Sequence, residues 1–351
     1  MRRIFTSIII LTSLISFGQD SPMDDLWKLY NSQDYKSAIE KAKPLLERDP
    51  NNVNLNLIIG RSFTDQLNFE RAIPYLELAA KNDIYNSWRK AWALNYLGTC
   101  YFMLQDYHSS ETSLNKCIKL DATKNATNDA YGKTLLFGFN EFYKEWKIIE
   151  TENFRFHFQN MTTEEIQKFS SIREVAYNEI NDFFESSPPK KTDFYVWASR
   201  EDAMKILRSK LGFSIPDFCI IHSHYQQTVG HEMTHVISNY VTEITTKTRF
   251  INEGIAVYFD LSNQDKFKLV KNWITANNKQ IKIKDFWENG EKYDEEILYP
   301  ISGLFVKELI DNFGRYRFLE FFKNQTYENA QLVFGNKLDM VIEEFEKKIN
   351  I

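Results

Sequence analysis

Two short stretches of this 351-residue chain hold residue types whose spacing can do chemistry. The first reads GHEMTHVISNY from Gly230 and contains His231, Glu232 and His235 in the order H-E-x-x-H. On a helix, residues four apart share a face, so both imidazoles can reach one metal ion. Glu232 follows His231 directly and is displaced sideways, beside the position where a metal-held water would sit. The second stretch, RFINEGIAVYFD, supplies Glu253 as a hard oxygen donor. Two imidazole nitrogens and one carboxylate suit zinc, Zn2+, with a fourth position left for water.

The elements that must carry these residues are legible from periodicity. Val229, Met233, Val236, Ile237 and Tyr240 fall on one side of a helix, and His231 and His235 fall roughly opposite. Ile251, Ile255, Tyr258 and Phe259 make a second stripe with Glu253 opposite, and Gly254 and Ala256 are small enough to let two helices approach closely. Taken singly, an H-E-x-x-H can be a surface coincidence and Asn-Glu-Gly is a commonplace turn or helix start. Both together, each with an apolar stripe turned the other way, predict a metal centre.

HEMTH followed by NEGIAVYF resembles the gluzincin metallopeptidases. It is most similar to the peptidase MA-like group, which shares NEGxA with alanyl-aminopeptidase-type enzymes. The resemblance spans roughly residues 150–345, and its specific part is these two motifs. It implies that His231, His235 and Glu253 bind zinc and that Glu232 is the catalytic base. It does not extend to exopeptidase action, because the Gly-x-Met-Glu-Asn segment that holds a substrate amino terminus is missing. Thermolysin carries an aspartate four residues after its ligand glutamate; Val257 stands there, so support for a histidine must come from elsewhere.

Along the chain, Met1–Gly18 reads as a secretory signal: Arg2 and Arg3, an apolar run to Phe17, and small Ser16 and Gly18 at the cut. The expected mature protein is exported, periplasmic or extracellular, with no membrane span after signal cleavage. Residues 19–145 read as helical hairpins with a capping helix. Leu26, Gly60 and Gly98 are equivalent, as are Ala38, Ala72 and Ser110, at steps of 34 and 38 residues. A step of 34 resembles the tetratricopeptide repeat, and the extra four residues are expected in the Asn82–Trp88 connection. Such arrays offer a face to a protein partner or brace a neighbouring domain. Residues 146–351 alternate strands and helices. The predicted fold is therefore multidomain: an N-terminal all-α tetratricopeptide-type solenoid followed by an α+β gluzincin-like catalytic domain.

Within 146–351, alternation in FRFHF predicts a strand with one buried face and His157 at the surface. Asp217–His222 reads as an edge strand leading into the H-E-x-x-H helix, where an extended peptide could add as a further strand. His222 and His224 could stabilise an oxyanion, bind substrate, support a ligand or face solvent. Lys279–Glu295 reads as a solvated connection or rim. Tyr299 starts a helix near Pro300 and either donates to a transition state or packs. Cys100, Cys117 and Cys219 are expected to be buried thiols, although Cys100 and Cys117 could bridge.

An apolar content of 43% is ample for packed cores, and a net charge of −5 argues against a nucleic-acid partner. The function expected is an exported zinc endopeptidase acting on a peptide or protein substrate. The alternatives are a repeat-based interaction protein with a structural or silent zinc site, and a zinc amidohydrolase of cell-wall peptide.

Overall fold

A computed structural model describes residues 22–241 and 244–350, so the expected signal segment lies outside the described residues. The chain is mostly helical, with a mixed five-stranded sheet, and forms two compact units, Met1–Tyr131 and Gly132–Ile351. The division falls ahead of the 145/146 boundary expected from sequence. No helix among the described residues is long and apolar enough to cross a membrane.

The first unit is built from α1 (Pro22–Asn31), α2 (Tyr35–Arg48), α3 (Val53–Asp65), α4 (Phe69–Asn82), α5 (Trp88–Met103), α6 (Tyr107–Leu120) and the start of α7 (Lys124–Leu136). Its hairpins repeat in backbone detail. Gln33, Leu67 and Gln105 turn the chain with left-handed φ of 63°, 60° and 63°. Each is followed by an Asp or Asn at a helix start; Asp34 and Asp106 accept the backbone N–H of Ser37 and Ser109 there. Gly60 and Gly98 sit where paired helices cross. A Cβ on either would lie 2.6 or 2.5 Å from the facing leucine, Leu76 or Leu114. Most of the extra length in the longer step lies inside α5 rather than in the connection, because α5 already begins at Trp88. Cys100, Cys117 and, in the second unit, Cys219 are all buried.

The second unit opens with β1 (Lys147–Glu150), β2 (Phe154–Phe158), α8 (Thr163–Phe184), β3 (Thr192–Trp197), α9 (Arg200–Leu207), β4 (Phe213–Ile215) and β5 (Ile220–His224). The strand order is β1-β2-β3-β5-β4; the inner three are parallel and the outer two pair antiparallel. Thr162 and Glu165 form a reciprocal capping box that starts α8, the crossover between β2 and β3. Helices follow to the end: α10 (His231–Ser238), α11 (Arg249–Tyr258), α12 (Lys266–Asn277), α13 (Ile283–Glu288), α14 (Glu295–Phe313), α15 (Arg315–Phe322), α16 (Tyr327–Phe334) and α17 (Lys337–Asn350).

Both faces of the inner strands are buried, which overturns the expectation for His157. Phe154, Phe156 and Phe158 pack on one face with Phe194 and with Phe169 of α8. On the other face His157, Tyr195, His222 and Phe213, one from each of four neighbouring strands, stack at 4.2, 4.5 and 5.2 Å. His157 is 5% exposed, and its Nε2 lies 2.8 Å from Asp193 Oδ1. Asp193, fully buried, also pairs with buried Lys190 and with Arg155. Burial works against that carboxylate, but the Lys190 charge and the His157 hydrogen bond hold it well below the usual range. Replacing Asp193 with Asn is expected to cost about 3–5 kcal/mol at pH 7, because it removes the carboxylate with which Lys190 is paired. A depressed carboxyl adds stability above its unfolded pKa, about 3.9, and loses it as pH falls from there through the folded value. The gap between parent and variant in urea unfolding should therefore hold down to about pH 4 and close in stronger acid.

Two other expectations change. Pro216–Phe218 is a 3-10 turn, so the strand begins only at Ile220; it lies inside the sheet, and β4 is the edge. Nor is Lys279–Glu295 a solvated rim. Ile281, Ile283, Phe286 and Trp287 are buried, and Trp287 Nε1 donates to the Gln325 carbonyl at 2.7 Å. α14 begins at Glu295, with Pro300 inside it.

Candidate metal centre

α10 and α11 present the two motifs as their apolar stripes require. Met233, Val236 and Ile237 of α10 and Ile251 and Ile255 of α11 are buried. Thr248 caps α11, its side chain accepting from Ile251 N, and Thr248 N in turn donates to the side chain of buried Gln325 at 2.9 Å. Gly254 gives the close approach expected of it, but toward α14: a Cβ there would lie 2.8 Å from the Ser302 carbonyl oxygen. Gly230, with φ of 112°, stands immediately before α10. A Cβ on Gly230 would lie 2.0 Å from the Phe259 carbonyl oxygen, so only glycine lets the chain leaving α11 pass this close. Leu261 N donates to the Val229 carbonyl at 2.9 Å and ties that crossing.

The three expected ligands converge. His231 Nε2 and His235 Nε2 lie 3.4 and 3.5 Å from the same atom, Glu253 Oε2. Donor atoms of all three residues lie within 4.8 Å of one another. With metal–ligand bonds of about 2.1 Å, a tetrahedral site has edges of roughly 3.4 Å, so the two imidazole–carboxylate edges match those around a divalent ion such as zinc. Glu253 Oε2 is buried and has no hydrogen-bond partner among the described residues. Burial works against the Glu253 carboxylate, but the two imidazoles it faces hold it well below the usual range. Burial likewise opposes the His231 imidazolium, while Glu253, Glu232 and Asp260 outweigh it and leave the imidazole raised.

Glu232 opens onto a cleft of about 560 Å³ that His231 also lines, together with Gly212, Asp260, Glu295 and Tyr299. Ser214, on edge strand β4, donates to Glu232 Oε2 at 3.0 Å. Tyr299 stacks on His231, ring centroids 5.5 Å apart. Burial, then the Glu253 and Glu295 charges, push its phenol well above the usual value. Asn252 approaches the outer nitrogen of His235, with Nδ2 3.2 Å from Nδ1. An imidazole holding a metal through Nε2 would keep a proton on Nδ1, and Asn252 could then meet it with its amide oxygen by turning the group over.

His222 and His224 stay out of the cleft. His222 is fully buried; its Nδ1 accepts from Trp197 Nε1 at 3.1 Å, and its Nε2 lies 3.1 Å from the Leu136 carbonyl oxygen. Burial lowers its pKa to about 3, so it stays a neutral packing group. His224 is buried further along the same face of β5, and burial lowers it too. Sequence reasoning missed Ser214 and Asp260 altogether. Ser214 carries no local signal, being brought to Glu232 by strand pairing alone. Asp260, close behind Glu253 in the chain, could have been found as the next carboxylate after the motif.

In comparisons with protein-family models and with curated proteins, the chain matches no family model and no curated protein.

Proposed function

We propose that the chain is an exported zinc-dependent endopeptidase, its α+β unit resembling gluzincins and its helical hairpins being tetratricopeptide-type repeats that receive a protein partner or substrate. The observation that carries this reading is the buried Glu253 Oε2, which faces both imidazoles and makes no hydrogen bond among the described residues, with Glu232 beside His231 on one cleft. His231, His235 and Glu253 would hold the zinc, which when bound polarises a water and a substrate carbonyl. Glu232 takes the proton from the attacking water on its carboxylate and hands it to the departing amine nitrogen. Ser214 Oγ holds Oε2 of that carboxylate in place. The Tyr299 phenol, raised and so protonated at neutral pH, donates toward the oxygen that gains charge in the tetrahedral state. Edge strand β4, rather than β5, offers the backbone to which an extended peptide can add.

The test uses the chain lacking residues 1–18. Elemental analysis should give near one zinc per chain, and denatured casein should be cut at internal bonds in a chelator-sensitive way. Absence of zinc after supplementation would end the reading. Zinc with no cleavage across protein and cell-wall peptide substrates would leave a metal-bearing interaction protein.

A further inference from the structure

The two histidines are not equally supported. His235 has Asn252 at its outer nitrogen, whereas His231 makes no hydrogen bond through its outer nitrogen among the described residues. Yet a metal-holding imidazole needs an acceptor there to fix its ring and tautomer. On the same cleft as His231 an acceptor lacks a donor. Asp260 Oδ1 is buried and has no hydrogen-bond partner among the described residues. Asp260 lines the same cleft as His231, and the backbone crossing at Gly230 brings its Cα 3.3 Å from where a Cβ of Gly230 would stand, one residue before His231. Val257, four residues after Glu253, is an apolar, buried side chain and cannot serve.

We propose that Asp260 is the positioning residue for His231, accepting the Nδ1 proton of that imidazole in the metal-loaded protein. The inference rests on the metal centre proposed above. It joins an unmet donor to an unmet acceptor across a crossing that only glycine permits. The charge of Asp260 already acts on His231, alongside those of Glu232 and Glu253. A carboxylate in this position strengthens the imidazole as a ligand and slows its rotation away from the site. Asp260 touches neither substrate nor the attacking water in this scheme.

The test compares the chain lacking residues 1–18 with its Asp260→Asn variant, which keeps the shape and removes the charge. Zinc affinity is measured by competition with a chromophoric chelator, and thermal unfolding is followed with and without zinc. Zinc affinity should fall about 10–100-fold in the variant, with a shorter zinc residence time. The midpoint of the metal-free protein should stay where it is. Only the extra stability conferred by zinc should shrink. Parent-like zinc affinity in the variant would overturn the role of Asp260 and leave the metal centre standing. A metal-free midpoint that drops together with the affinity would make Asp260 a folding residue and also overturn it. If the parent itself takes up no zinc, the metal centre falls and the proposal falls with it.

Discussion

Replacing Glu232 with Gln is expected to lower kcat for peptide hydrolysis by about 10²–10⁴-fold, the range removed with a positioned general base. The amide keeps the shape of the carboxylate and can still accept from Ser214 Oγ, so the strand contact at 3.0 Å survives. What it loses is the ability to take a proton from water and deliver it to the leaving nitrogen. Zinc content should be unchanged, because the donors converge on Glu253 Oε2 and not on Glu232. The paired measurement is zinc per chain and turnover on denatured casein, parent beside variant. Loss of turnover with full zinc would establish the base. A variant that cleaves at the parental rate would remove Glu232 from the mechanism even if the metal is present.

Glu253→Gln should act on the other half of the site. Both imidazoles lose the anionic oxygen they face, and an amide oxygen is a poor substitute for a carboxylate on zinc. Zinc affinity is expected to drop by more than about 100-fold, beyond the 10–100-fold typical of changes to supporting residues. The parent should also show a clear pH dependence. His231 is raised above the ordinary imidazole value of about 6.5, so zinc must displace a proton from it already at a pH above that value. Affinity should therefore decline as pH falls through that region and recover on returning to pH 8. Equilibrium dialysis across pH 5.5–8, at fixed ionic strength, checks both statements.

The candidate ligands are legible in the sequence because their geometry is local. A separation of four residues on a helix decides which face His231 and His235 share, and the stripes of α10 and α11 decide where that face looks. Glu253 joined them through a second local motif. What failed depended on contacts between distant segments. FRFHF alternates, and alternation predicts one buried face; in a sheet with parallel inner strands, both faces are covered. His157 is then buried because Asp193, far along the chain, supplies its partner. Asp217–His222 read as one strand, but Pro216 opens a 3-10 turn and Cys219 adopts φ of 51°, so the strand starts late and lies one place in from the edge. Polar Lys279–Glu295 hid Trp287, whose burial is set by Gln325 and the rings around it. Ser214 could not be foreseen, since strand register alone brings it to α10.

The contact between Ser214 and Glu232 has an implication for how long a good substrate must be. The same edge strand that would take up an added peptide also holds the proton acceptor by one hydroxyl. Residues of a peptide lying far from the cleaved bond can then improve the aim of the acceptor, spending their binding on the barrier rather than on occupancy. Extending a fluorogenic peptide one residue at a time along β4 should raise kcat more than it lowers KM, and Ser214→Ala should flatten that rise. Equal gains in parent and variant would mean that the strand holds substrate without informing the base.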